Sequence, residues 1–166
     1  MASETEIPLE LPASHGLKIV LVEPEIPQNV GNIARLCAVT GATLHLVRPL
    51  GFFLTSKHLK RAGMDYWDQL EIHIHDDLPT LRRQMADSSY WLCSSKGGSL
   101  LWNIRFETGS WLVFGKESAG LPADWLASEP ARAVRIPMIR GARCLNISTA
   151  TGIVLFEALR QIQYID

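Results

Sequence analysis

Five short runs of β-branched and apolar residues recur along this chain: Lys18 to Val22, Leu44 to Val47, Tyr90 to Cys93, Trp111 to Phe114 and Ala133 to Ile136. Runs of this length and type read as strands. Strands that are apolar on both sides are buried on both faces, and strands separated by helical stretches pair in parallel across crossovers. The chain is therefore expected to be α/β, a mostly parallel sheet with helices on both faces. Leu70 to His75 is a weaker strand candidate, with Leu70, Ile72 and Ile74 alternating against Glu71, His73 and His75.

Between the strands, Ile33, Leu36, Cys37 and Thr40 follow helical spacing up to Gly41. This predicts a helix with Asn29 at its N-cap and glycine at its end. Leu78 to Met85 reads as a surface helix with Leu78, Leu81 and Met85 inward and Arg82 and Arg83 outward, and Pro122 to Ala127 as a short one. Thr149 to Gln163 is apolar on most sides through Ile153, Val154, Leu155, Phe156 and Leu159. A helix of that kind is expected to be buried nearly all round, often against a partner.

Three of the strand-ends run into loops dense in glycine and polar residues. These are Pro27 to Arg35, Phe114 to Pro122, and the stretch from Ile136 through Cys144 to Gly152. Loops that follow strands in an alternating chain converge on one edge of the sheet, where such folds bind ligands. The trio thus predicts one composite site. In the first loop Arg35 follows Asn29 by six residues, less than two helical turns, and a guanidinium there suits a phosphate. In the second, Glu117 sits in a glycine turn, where a carboxylate can hold a ribose hydroxyl or a basic partner. The spacing matches neither the P-loop nor the dinucleotide fingerprint, which argues against a triphosphate site. In the third, Ser148 is placed to cap the last helix and Asn146 to bond backbone. The turn Ser94-Ser95-Lys96-Gly97-Gly98 falls on the same sheet edge.

Composition limits the function classes. With 166 residues, one domain over 17–166 is expected, preceded by a disordered lead-in over 1–16 that lacks the basic and apolar regions of a secretory signal. The formal net charge of −1 carries no global commitment to nucleic acid, so any such contact rests on local patches: Ser56 to Arg61, or Arg82, Arg83, Arg140 and Arg143. Tyr66 and Trp67 stand beside the first of these. Cys37, Cys93 and Cys144 lie far apart without metal or disulfide spacing, which suggests reduced thiols in the cytoplasm. His73 and His75 share one side of a strand without further ligands, so no metal site is expected. No apolar run approaches the roughly 18 residues of a membrane span.

At the three loops the sequence resembles the SPOUT superfamily of S-adenosylmethionine-dependent RNA methyltransferases, and more closely its tRNA 2′-O-ribose branch, over nearly all of residues 17–165. The resemblance is strongest to its small single-domain members that methylate the wobble ribose of leucine tRNAs. It is carried by the run from Glu23 to Asn32, by Arg61-Ala62-Gly63-Met64-Asp65-Tyr66 and by the third stretch. It implies a deep C-terminal trefoil knot, S-adenosylmethionine as methyl donor, tRNA as partner and a homodimer formed across the last helix. It places the donor near Cys93, Gly115, Ile136 and Cys144, with Leu121, Met138, Leu145 and Ser148 adjoining. Asn29, Glu117, Asn146 and Ser148 match the polar positions that shape the family's site, and Arg35 matches its motif-one arginine. An arginine is nearly always charged, so positioning is the expected role of Arg35. The chain departs from the pattern where Cys144 replaces a common serine and where Lys116-Glu117-Ser118-Ala119 replaces Pro-Glu-Thr-Arg. The readings left open are the same chemistry at another tRNA or rRNA ribose, and an RNA- or donor-binding module without turnover.

Overall fold

A computed structural model of the chain describes residues 11, 14–54 and 70–164. The basic run from Ser56 to Arg61, the motif from Arg61 to Tyr66, Trp67 and most of the expected lead-in lie outside the described residues.

Among the described residues the strands are β1 (Lys18–Val22), β2 (Thr43–Val47), β3 (Ile72–His75), β4 (Tyr90–Cys93), β5 (Ser99–Leu100), β6 (Trp111–Phe114) and β7 (Ala133–Arg135). They form one seven-stranded sheet in the order β3-β2-β1-β6-β4-β7-β5. Every pairing between them is parallel. Among the described residues the α-helices are α1 (Pro27–Thr40), α2 (Leu78–Met85), α3 (Ala123–Ser128) and α4 (Ile147–Tyr164).

Alternation along each strand sorts the core into two layers. Ile19, Leu21, Leu44, Leu46, Leu112 and Phe114 face one side, where they pack with Ile33 and Cys37 of α1 and with Val154, Leu155 and Leu159 of α4. Val20, Val22, Trp111 and Val113 face the other, against Leu81 and Met85 of α2 and Trp125 of α3. Both faces are covered, as continuous apolar strands require. Truncating any of these fully buried leucines to alanine costs about 2–5 kcal/mol.

The ends of α1 and α4 differ from the sequence-based expectation. Pro27 occupies the first turn of α1, where its fixed φ and missing N–H are tolerated, so the helix starts before Asn29 and the N-cap position falls to Ile26. Asn29 is a buried residue of the first turn. Helix α4 begins at Ile147. The side chain that serves its first turn is Asn146, whose Oδ1 accepts from the Ser148 N–H (2.8 Å) and hydroxyl (2.6 Å). Within one chain α4 is not buried all round: Ile153 and Phe156 are exposed. The two-residue β5 carries no apolar alternation and was not foreseen.

At the β3 edge, three imidazoles lie together. His45 stacks on His73 at 4.6 Å and on His75 at 5.2 Å between ring centroids, and a 2.9 Å hydrogen bond joins His45 Nδ1 to His75 Nε2. Burial, reinforced by the neighbouring imidazoles and Lys18, pushes the pKa of His45 down to about 3. Among the described residues no group of three or more His, Cys, Asp or Glu could hold a metal ion, and no helix is long and apolar enough to cross a membrane.

Candidate functional site

The strand order changes direction between β1, which leads outward to β2 and β3, and β6, which leads to the other half of the sheet. Ligands bind at such a switch point, outside the carboxyl ends of the strands. A cavity of about 420 Å³ lies there, lined by residues of all three predicted loops.

Its first wall is a clasp between the loops after β1 and β6. Glu117 Oε2 accepts from the Glu25 N–H at 2.8 Å, while Oε1 accepts from the Ile26 N–H and from Asn29 Nδ2, each at 3.1 Å. Helix α1 has no capping side chain of its own. The N–H of its N-cap residue Ile26 and its positive dipole end are met by a carboxylate from a loop about ninety residues away. The clasp is reciprocal: Glu25 accepts from the Ser118 N–H and hydroxyl, both at 2.8 Å. These bonds to Ser118 hold the Glu25 carboxyl below its ordinary pKa. Lys116 Nζ donates to Glu23 at 2.8 Å, which raises the lysine's pKa. Gly115 makes the fit possible, since a Cβ there would meet the Gly120 carbonyl carbon at 2.0 Å.

From Asn29 the network reaches the third loop. Asn146 Nδ2 donates to Asn29 Oδ1 at 3.0 Å, and Asn146 in turn accepts from Ser148. Carboxylate, amide, amide and hydroxyl thus tie the three loops in series. Glu117 is engaged by three N–H donors and serves here as the anchor of that series, not as a free ligand for a hydroxyl.

The second wall comes from the β4 and β7 ends. Cys93, Ser94, Ser95, Lys96, Val134, Arg135 and Ile136 line it. Ser94 N–H bonds the Val134 carbonyl at 2.9 Å. At Gly98 a Cβ would fall 1.9 Å from the Ala133 carbonyl oxygen. The turn after β4 therefore lies directly on β7. Cys144 of the closing segment reaches across to Ser95 Oγ at 3.1 Å. Burial pushes the Cys93 thiol pKa up, which keeps it protonated.

Of the residues singled out from sequence, Asn29, Cys93, Gly115, Glu117, Ile136, Met138, Cys144, Leu145 and Asn146 line the cavity. Leu121 instead packs into the α2 and α3 core. Ser148 stands one residue beyond the lining Ile147. Arg35 is exposed on α1, outside the lining. Sequence reasoning missed Arg135 and the roles of Glu23 and Glu25. A signal existed for the glutamates: two carboxylates two apart after β1 face Lys116 and Ser118, two apart after its neighbour β6.

A model of the SpoU rRNA Methylase family matches residues 16–156 of the chain. The chain belongs to that family. A Saccharophagus degradans relative named tRNA (cytidine(34)-2′-O)-methyltransferase is 42% identical, covering 88% of this chain and 96% of its own. A solved structure concerned with 2-OH methylation of C/U34 on tRNA shares 44% identity at a TM-score of 0.81, covering 87% of this chain and 95% of that one. An AdoMet-bound rRNA methyltransferase from Sinorhizobium meliloti shares 31% identity at a TM-score of 0.75, over 87% of this chain and 56% of that one. The family fold thus accounts for the parallel sheet and for the placement of its three loops.

Proposed function

We propose that this chain transfers the methyl group of S-adenosylmethionine to the ribose 2′-hydroxyl of the wobble nucleotide, cytidine or uridine, of leucine tRNAs. The observation that carries the proposal is the cavity at the switch point, built jointly by the three loops whose order and content match small tRNA methyltransferases. Its volume, about 420 Å³, falls within the range of small-ligand sites. Its mixed lining of backbone turns and apolar side chains suits an adenosine joined to a methionine. Bound S-adenosylmethionine supplies an activated methyl on sulfonium, so the protein's task is orientation and removal of the hydroxyl proton.

Cys93, Gly115, Ile136, Met138, Cys144 and Leu145 hold the donor, with Leu121 fixing the second loop from behind and Ser148 steadying the third. Asn29, Glu117 and Asn146 position the three loops relative to one another. Arg35, charged and exposed on α1, orients the RNA backbone. The closing segment between β7 and α4 carries the family's trefoil knot in this reading. A second copy covers Ile153 and Phe156 of α4, completing the RNA site, and the enzyme acts in the cytoplasm on free tRNA.

Nucleotide-resolved mapping of 2′-O-methyl groups, with and without the gene, tests substrate and reaction together. Loss of the methyl at the wobble ribose of leucine tRNAs is expected on deletion. An unchanged methylation map would sink the assignment.

A further inference from the structure

The cavity's titratable residues divide unequally. Glu117 is satisfied by three N–H donors, and Lys116 by Glu23. Lys96 and Arg135, on the opposite wall, are both exposed, and neither side chain has an ion-pair or hydrogen-bond partner among the described residues. The turn that carries Lys96 lies against β7, and β5, which follows that turn, pairs Leu100 with Arg135.

Their surroundings hold no counter-charge in sequence either. Residues 88–106 carry Lys96 and Arg105 and no Asp or Glu, and residues 130–156 carry Arg132, Arg135, Arg140 and Arg143 and no Asp or Glu. Arg132 is taken up by Glu129 at 3.4 Å and by the Tyr90 ring. Arg140 and Arg143 are exposed on the closing segment. Around the cavity, then, Glu23, Glu25 and Glu117 sit in the clasp, and Lys96 and Arg135 sit on the β4 and β7 side.

We infer that Lys96 and Arg135 form an anion-binding rim that takes a backbone phosphate of the RNA substrate, fixing the direction in which the strand crosses the cavity. This rests on the tRNA reading above and adds to it the wall along which the RNA runs. A phosphate is favoured over the donor's carboxylate by charge balance. S-adenosylmethionine carries a sulfonium, an ammonium and one carboxylate, so it is a net cation, and two uncompensated cations repel it as a whole. A polyanion gains from both, with arginine offering a fork and lysine a point charge.

The test compares Lys96→Ala, Arg135→Ala and the double variant with the unaltered protein, each verified as folded by circular dichroism. Binding of a leucine tRNA transcript is followed by anisotropy over a salt series, and S-adenosylmethionine binding by calorimetry. Each single change is expected to weaken RNA binding about 3- to 10-fold and to lower the slope of log affinity against log salt by about 1, as loss of one phosphate contact should. Donor affinity should stay within about twofold, and Lys96→Arg should restore the slope. If donor affinity falls while RNA binding holds, the rim serves the donor carboxylate and the inference is overturned. Unaltered tRNA affinity and slope in the double variant overturn it too, leaving solvated surface charges. An unaltered protein that binds no tRNA at any salt would instead remove the tRNA reading itself, and the rim with it.

Discussion

The two walls of the cavity use charge in opposite ways. On the β1 and β6 side, three glutamates, a lysine and a serine bond one another and the start of α1, so little is left over for a ligand. On the β4 and β7 side Lys96 and Arg135 have no such partners among the described residues, and the wall is held in shape by backbone contacts at Gly98 and Ser94. The first wall is a scaffold made of polar groups. The second is a scaffold made of close backbone approach, which leaves its polar groups for the incoming molecule.

This contrast can be broken most severely at Gly115. A Cβ there would be driven into the Gly120 and Leu121 backbone, so Gly115→Ala should cost about 3 kcal/mol and abolish donor binding. A urea midpoint close to that of the unaltered protein would show the clasp to be pliable. Next comes Glu117→Ala, which strips three N–H donors of their acceptor at once. A loss of about 2 kcal/mol is expected, with methyl transfer falling further than donor binding, because α1 and the third loop are joined through Asn29. If transfer kinetics were unaffected, the clasp would be mere loop chemistry.

Mild acid separates the clasp from the rest of the sheet. His45 is depressed below its unfolded value of 6.5 to about 3, so the unfolded chain binds the proton first. Stability should decline as pH falls from 6.5 toward 3, by at most about 1.4 kcal/mol per unit for one proton. Glu25, lowered from 4.5, contributes its share above that value and loses it only at lower pH. Stability measured between pH 7 and 5 should therefore drop in the parent and drop less in His45→Gln, while Glu25→Gln should leave that part of the curve unchanged in slope. The smallest effect is expected at Lys116→Met. Its ion pair joins side chains 37% and 32% exposed, and solvent screening leaves such pairs contributing little. A larger loss would mean that the pair, not the Glu117 network, holds the second loop.

Much of this was legible in the sequence, for identifiable reasons. β1, β4 and β6 have the expected bounds because a buried parallel strand writes its burial into consecutive residues. The three loops converge as expected because the chain alternates, and their motifs are contiguous. What escaped notice was non-local. Glu25 and Ser118 are bonded 93 residues apart, and nothing local to either marks the bond. Asn29 fits a helix cap by residue type, yet Pro27 moves the helix start and frees its amide to join Glu117 to Asn146. β5 is held by register with β7 rather than by composition.

The strand order also bears on how the chain is made. β6 lies between β1 and β4, yet it is the sixth strand in sequence. A chain emerging from the ribosome therefore carries β1, β2 and β3 with an open edge at β1, and β4 with no neighbour on that side, until Trp111 to Phe114 arrive. An unpaired edge of that kind can template aggregation. The nascent chain is thus most exposed to misassembly in the interval between synthesis of Cys93 and Phe114, and proteolysis of stalled chains should change most sharply across that interval.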